Sequence, residues 1–309
     1  MAKKNSAIIW IEYATARVAL GLMGVLSREA AIRFAIFILG TTPFILRNLW
    51  RTGMRNLEIA FPAESVAWRA SVLNGTFENL GRVLGELSQF HKYTRDDLAR
   101  FTEFDFDQET KTVYEKNKSE GRGVLLVTGH MGNWEMLVFA FAALYEPISY
   151  LARPLDNPKI EEMLTRFRIR FGNTPINKSN SAMLAIKILR EGGGLGILSD
   201  VNAHPKEGVF VPFFGVPACT PTGAAMIAIR SNALIFPVVC VWEKEIGRYK
   251  LVHGDLLAPA NTGNRRRDIL ETTAAYTAEL ERIIRQYPGQ WMWIHKRWKT
   301  RPTGETDIY

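Results

Sequence analysis

From residue 121 onward, short apolar runs alternate with stretches of helical periodicity, and this alternation constrains the fold more than any other feature. The runs are GVLLVT (123–128), PISYLA (147–152), LGILSD (195–200), ALIFPVVCVW (233–242) and RYKLVHG (248–254). Helical patterns start near 133, 158 and 221, and cover 179–190 and 264–287. Strands alternating with helices predict an α/β fold, a mixed and largely parallel sheet flanked by helices. In such sheets ligands bind at the carboxyl ends of the strands.

The chain before this region reads differently. Residues 7 to 100 show helical patterns only, among them FENLGRVLGELSQFHKY (77–93). Two stretches are unusually apolar: 7–26, interrupted by Glu12 and Arg17, and 30–46, interrupted by Arg33. A spanning helix wants about 20 mostly apolar residues, and each central charge is costly. ATA at 14–16 resembles a signal-peptidase site, but the apolar stretch before Glu12 is shorter than the roughly 7–15 residues such a signal needs. Across residues 1–58 eight Lys and Arg face three Glu, a surplus of five cations. Amphipathic helices with cationic flanks lie in a membrane surface. The division expected is a helical membrane-associated region at 1–100 and an α/β catalytic domain at 101–309. The alternative is an ordinary helical subdomain packed on the rest.

The net charge of +8 points to a negative partner: nucleic acid, an anionic membrane or a phosphorylated substrate. Trp291, Trp293 and Trp298 are interleaved with His295, Lys296, Arg297, Lys299 and Arg301, a mixture that suits stacked bases or a headgroup interface. The α/β pattern carries no nucleic-acid motif, so the reading takes the membrane and no nucleic acid. Cys219 and Cys240 form neither a metal-ligand spacing nor a disulfide framework. No metal and no cofactor are expected. REGGGLG (190–196) precedes a strand and lacks a Lys-Ser/Thr ending, so it reads as a helix C-cap rather than a phosphate loop.

Chemistry is expected at GHMGNWEM (129–136), where His130 stands five residues before Glu135. The spacing alone decides nothing, since His91 and Asp96 share it; His91 ends a helical pattern and Asp96 begins the next. His130 instead ends a buried strand, in a Gly-rich turn, with a helix starting near Asn133. On one helix an i, i+5 pair lies roughly 140° apart. With His in the turn and Glu in the first helical turn, the two side chains can converge. His130 then reads as a base whose second nitrogen is held by Glu135, and the helix N-terminus supplies N–H groups for an oxyanion.

VTGHMGNWE resembles the first motif of the glycerolipid and lipid A acyltransferases, and its Glu version is similar to the lipid A lauroyl/myristoyl acyltransferase branch. ARPLDNP (152–158) resembles the second block and SDVNAHPKEGVFVPFFGVPACTPTG (199–223) the third. ALIFPVV (233–239) resembles the fourth, and YPGQWMWIHKRWKTRP (287–302) the branch's C-terminal signature. RNLEIAFP (55–62) and FENLGR (77–82) resemble its N-terminal region. The resemblance implies acyl transfer from a thioester, on acyl carrier protein or coenzyme A, to a hydroxyl of a glycolipid. A lipid A precursor is expected, at the cytoplasmic face of the inner membrane. His130 takes the place of the base and Glu135 of its orienting acid. Arg153 and Asp200 take the block-two Arg and block-three acid positions, as substrate-binding residues. Arg153 reads as a phosphate clamp or as half of a buried salt bridge, with Asp200 a possible partner. Asp200 reads as a residue that fixes Arg153 or touches an acceptor hydroxyl, or as a purely structural one. Phe210, Phe213 and Phe214 line an acyl groove or belong to the core. Many members follow the block-three Asp with Gln; here Val201 and Asn202 follow. A lysophospholipid or different glycolipid acceptor is the alternative, and a basic binding protein that has lost its catalytic site is the alternative of another class.

Overall fold

The computed structural model describes residues 5–104, 106–152, 154–176 and 181–309. Six helices come first: α1 (Ser6–Gly24), α2 (Arg28–Gly40), α3 (Thr42–Ile45), α4 (Arg47–Ala60), α5 (Val66–Gln89) and α6 (Arg95–Phe101). Then follow β1 (Thr102–Glu103), α7 (Gln108–Ser119), β2 (Val124–Thr128), α8 (Trp134–Leu144), β3 (Ser149–Leu151), α9 (Pro158–Arg168), β4 (Thr174–Pro175) and α10 (Ser181–Arg190). The remainder is β5 (Gly194–Leu198), β6 (Gly208–Phe213), β7 (Val216–Pro221), α11 (Gly223–Ser231), β8 (Leu234–Glu243), β9 (Arg248–His253) and α12 (Arg265–Gln286).

Seven strands form one sheet in the order β1-β9-β8-β2-β5-β3-β4. The sheet is parallel throughout except where β9 runs antiparallel to β8. All five residues of β2 are buried, because helices cover both faces. Leu125 and Val127 enter one core with Leu189 and Ile283, while Val124 and Leu126 enter the other with Met136 and Phe139. The period of two thus operates inside a continuous apolar run. The expected α/β class and the five strands read from the sequence are present. The hairpin β6–β7 is a further feature, turning at Phe214 and Gly215, both at positive φ (52° and 75°). β1 and β4, two residues each, are too short to leave a pattern.

The N-terminal helices are held by close backbone approach and one buried ion pair. A Cβ on Gly81 would lie 2.5 Å from the Ile36 Cα, and one on Gly85 2.6 Å from the Ile32 Cα, so α2 can rest on α5 only because both are glycine. Arg28 then reaches the fully buried Glu86 with two hydrogen bonds, 3.2 and 2.5 Å. Among the described residues α1 is the helix long and apolar enough to cross a membrane. It lies along α5 and α9 instead of leaving the body, since Asn157 donates to the Ile9 carbonyl and the Glu12 carboxylate, both at 2.9 Å. Its outer face exposes Trp10, Ile11, Val18 and Leu22, and the α2–α3 region adds Phe37, Phe44 and Ile45. The α2–α3 stretch (Arg28–Ile45) meets α4 at a bend of 89°. α5 is also tied to the sheet's carboxyl edge: Thr76 donates to the Trp291 carbonyl (3.1 Å) and Asn79 to that of Gly132 (2.8 Å).

Candidate active site

β2 and β5 are neighbours in parallel register, with Val124 opposite Gly194 and Thr128 opposite Leu198. Carrying that 70-residue offset two residues further places His130 opposite Asp200. The Asp200 carboxylate accepts the His130 backbone N–H (2.7 Å), and its other oxygen meets the ring Nδ1 at 2.9 Å. The Trp291 indole N–H donates to the same carboxylate at 2.9 Å. Gly129 makes room for this: a Cβ there would sit 2.9 Å from an Asp200 oxygen. Gly132 is required more strictly, with φ +56° and a Cβ position 2.0 Å from the Cys240 carbonyl. The chain then passes to Asn133, which N-caps α8 by accepting the Met136 N–H (2.9 Å).

With Nδ1 facing a carboxylate oxygen, the ring proton belongs on Nδ1 and Nε2 carries the lone pair. Burial alone would lower the His130 pKa, but Asp200 outweighs it through charge and hydrogen bond, with Glu135 adding to the effect, so the value is raised. Asp200 is almost fully enclosed. Burial opposes its ionisation, yet His130, in charge and hydrogen bond, holds the carboxyl well below the usual range. Three donors on one buried carboxylate make a rigid support, and the ring it holds keeps partial access to solvent.

The second nitrogen of His130 is therefore held by Asp200, and not by Glu135 as the sequence reading has it. Glu135 stands in the first turn of α8 and is gripped by Arg168 of α9, in two hydrogen bonds of 2.8 and 2.5 Å. The convergence argument brings Glu135 toward the right region but cannot see a competing guanidinium from another helix. Arg153 lies outside the described residues. Asn202, in the position after the third block's acid and Val201, accepts the Thr300 N–H (2.9 Å) and donates to its hydroxyl (3.0 Å), tying the C-terminal segment down. His91 and Asp96 are not partners: His91 packs beside Gly24 at the end of α1, and Asp96 sits in the first turn of α6 behind the Thr94/Asp97 capping box.

Glu135 and Trp134, whose ring stands 5.3 Å from that of His130, border an apolar cavity of about 50 Å³, walled by β2, β3, β5 and α8 through Leu126, Leu137, Phe141, Leu151 and Leu198, with Arg168 at its polar side. Phe213 and Phe214 do not line it. They are core residues, against Trp291 and Trp298 and against Phe61 and Trp293 respectively. Phe210 on β6 is half-buried.

The Trp cluster corrects another expectation. Trp291, Trp293 and Trp298 are fully buried and cannot sit at a headgroup interface. Arg297 is buried with them, donating to the Cys219 carbonyl (3.0 Å) and the Thr220 hydroxyl (2.6 Å); burial lowers its pKa to about 10. Trp291 bridges to Met131 in antiparallel fashion, and the chain then turns at once, the Trp293 N–H donating to the Trp291 carbonyl (2.9 Å). Arg168 left no signal in the sequence. Among the described residues no cluster of His, Cys, Asp and Glu is arranged to hold a metal ion.

Comparison with known proteins adds independent findings. The sequence model of the family described as bacterial lipid A biosynthesis acyltransferase matches residues 3–300. The chain is 32% identical to the lipid A biosynthesis lauroyltransferase of Escherichia coli (strain K12), over 82% of this chain and 80% of that protein. It is 28% identical to the lipid A biosynthesis palmitoleoyltransferase of the same organism, over 86% and 84%. A phosphatidylinositol mannoside acyltransferase of Mycolicibacterium smegmatis is 25% identical over 58% of this chain and 57% of its own.

Proposed function

Because the chain belongs to the bacterial lipid A biosynthesis acyltransferase family and is an acyltransferase, we propose that it moves a fatty acyl chain from a thioester to a hydroxyl of a lipid A precursor at the membrane surface. The observation that carries the reading is His130, its Nδ1 held by buried Asp200, with Trp134 between its ring and an apolar cavity at the carboxyl edge of the sheet. The acceptor hydroxyl donates to Nε2. As its oxygen attacks the thioester carbonyl, the proton passes to His130, and Asp200 stabilises the imidazolium. The free N–H groups at the start of α8 face the developing oxyanion. Collapse of the intermediate breaks the C–S bond, and the imidazolium returns its proton to the leaving thiolate. The cavity receives the acyl chain near its thioester end. Glu135 adds a negative field to the imidazolium and, with Arg168, fixes α9 over the cavity.

Acyl carrier protein and coenzyme A both present the chain on a phosphopantetheine arm, which suits a protein of net charge +8. The exposed apolar faces of α1 to α3 rest in the cytoplasmic leaflet of the inner membrane, where the acceptor lies. A second reading, a different glycolipid acceptor, is favoured by the mannoside acyltransferase likeness and by Val201 and Asn202 in place of Gln.

The test is a transfer assay on the purified protein with labelled acyl thioester, on carrier protein and on coenzyme A in turn. A lipid A precursor, a lysophospholipid and a phosphatidylinositol mannoside serve as acceptors. Acylation of the precursor above the other two is expected. Equal or better use of another acceptor would refute the substrate assignment, and no transfer to any of them would refute the catalytic reading.

A further inference from the structure

A second cavity, of about 300 Å³, lies between α1, α5 and α9, away from His130. α1 turns Tyr13, Arg17, Leu20 and Gly21 toward it, one stripe at helical spacing, while Ile11, Val18 and Leu22 stay exposed on the other side. α9 lines it with Lys159, Glu162 and Arg166. Arg168, two residues and about 200° further round that helix, points the other way to Glu135. The two faces of α9 thus serve two separate sites.

The lining is cationic. Arg17, Lys159 and Arg166 contribute three cationic side chains, against one carboxylate, Glu162, among the described lining residues. Glu162 is engaged by Arg166 at 2.7 Å. Arg17 donates to the Tyr13 hydroxyl (2.9 Å), and the Lys159 ammonium stands 3.7 Å over the Trp10 ring. A guanidinium in the middle of a 19-residue apolar helix is costly against hydrocarbon. Its place on the cavity side of α1, still exposed to solvent, takes it off the face of Ile11, Val18 and Leu22 and leaves cations at the rim of a face that meets lipid.

We propose that this cavity binds the phosphate headgroup of an anionic membrane phospholipid, whose acyl chains lie along the exposed face of α1. Arg17 and Lys159 contact the phosphate, and Tyr13 lines the site. The lipid is a fixed partner and not the substrate, since it leaves the other face of α9 free. The inference rests on the membrane-surface reading of α1 to α3, and the experiment separates the two.

Full-length protein is titrated with vesicles of phosphatidylcholine, with and without a minority of phosphatidylglycerol. The pair variant Arg17→Gln/Lys159→Gln is compared with a charge-matched control, Arg265→Gln/Arg266→Gln, at the exposed start of α12. Binding of all three to neutral vesicles tests the membrane reading. The gain from phosphatidylglycerol tests the site: the pair variant should lose roughly tenfold or more of it and the control under about threefold. Equal losses would show diffuse attraction and overturn the proposal, as would no loss in either. Soluble dihexanoyl phosphatidylglycerol and inorganic phosphate then separate the sources. Saturable binding of the lipid, lost in the pair variant, is expected; equal saturation by phosphate alone would assign the cavity to a free anion and overturn the lipid assignment.

Discussion

Replacing Asp200 with Asn should be the most informative single change in this protein. One carboxylate oxygen accepts two donors, the His130 backbone N–H at 2.7 Å and the Trp291 indole N–H at 2.9 Å, while the other meets His130 Nδ1 at 2.9 Å. An amide has one acceptor oxygen. Two fixed donors outweigh one, so the amide oxygen turns to the backbone and indole N–H groups, and its NH₂ turns to the imidazole. Nδ1 must then accept, the ring proton moves to Nε2, and Nε2 is no longer a base. The variant therefore loses the correct tautomer as well as the charge that stabilises the imidazolium. The expected fall in kcat is on the order of 10³–10⁴, equivalent to about 4–5.5 kcal/mol in the barrier. The fold should persist, because two hydrogen bonds to the carboxamide oxygen survive. The assay is steady-state transfer from acyl thioester to acceptor, with circular dichroism as the folding check. A folded Asp200→Asn protein retaining more than about a tenth of wild-type kcat would refute the tautomer argument.

Further outcomes are expected in activity and in stability. His130→Ala should lower transfer by roughly 10²–10⁴-fold with little loss of Tm, while His91→Ala stays near wild type; the reverse order of damage would mean the wrong histidine is in the site. Transfer should rise with pH along a limb above the ordinary imidazole value of 6.5, because neutral His130 is the active form and its pKa is raised; Asp200→Asn should move that limb down, since burial is then opposed by Glu135 without Asp200. The same linkage acts on stability: the His130 contribution is present below its unfolded value and fades as pH rises through the folded one, whereas that of Asp200 is present above the ordinary carboxylate value and fades as pH falls, which urea unfolding across pH will read. Glu135→Gln should cost less activity than Asp200→Asn but more Tm than His130→Ala, because among the described residues it leaves Arg168 with Glu161, at 3.7 Å, as its one carboxylate; a larger kcat loss than Asp200→Asn would return the orienting role to Glu135. Gly85→Leu should push α2 off α5, destabilise the fold by about 1–3 kcal/mol and weaken vesicle binding; an unchanged Tm would show that the helices do not pack as described.

Different parts of this molecule are legible in the sequence for different physical reasons. GVLLVT followed by a Gly-rich turn announces a buried strand end, and His130 is found there by pattern alone. Asp200 is equally visible as the end of LGILSD. Its union with His130 is not, because it depends on β2 and β5 being neighbours in one register, which no local periodicity encodes. The Glu135–Arg168 pair is hidden for a similar reason: α9 reads as a helix, but which of its arginines turns toward α8 is settled by packing. The segment 291–301 shows a different failure. Its mixture of Trp and cations matches a membrane edge in composition, whereas its burial follows from the bridge of Trp291 to Met131 and the packing of Phe213 and Phe214 on it, long-range contacts that no local pattern encodes.

The register between β2 and β5 also bears on how such an enzyme can change. His130 and Asp200 meet because two adjacent strands finish at the same level, so their separation along the chain carries no information about their separation in space. Everything between those strands, α8, β3, α9, β4 and α10, can lengthen, shorten or be recast without moving the base from its acid, provided β5 returns to its place. New acceptors and chain lengths can then be reached by rebuilding the intervening segment while the proton-handling pair stays where the sheet puts it. By the same reasoning, a slip of β5 by a single residue, with no change at His130 or Asp200, would turn the carboxylate to the opposite face of the sheet and silence the enzyme from a distance.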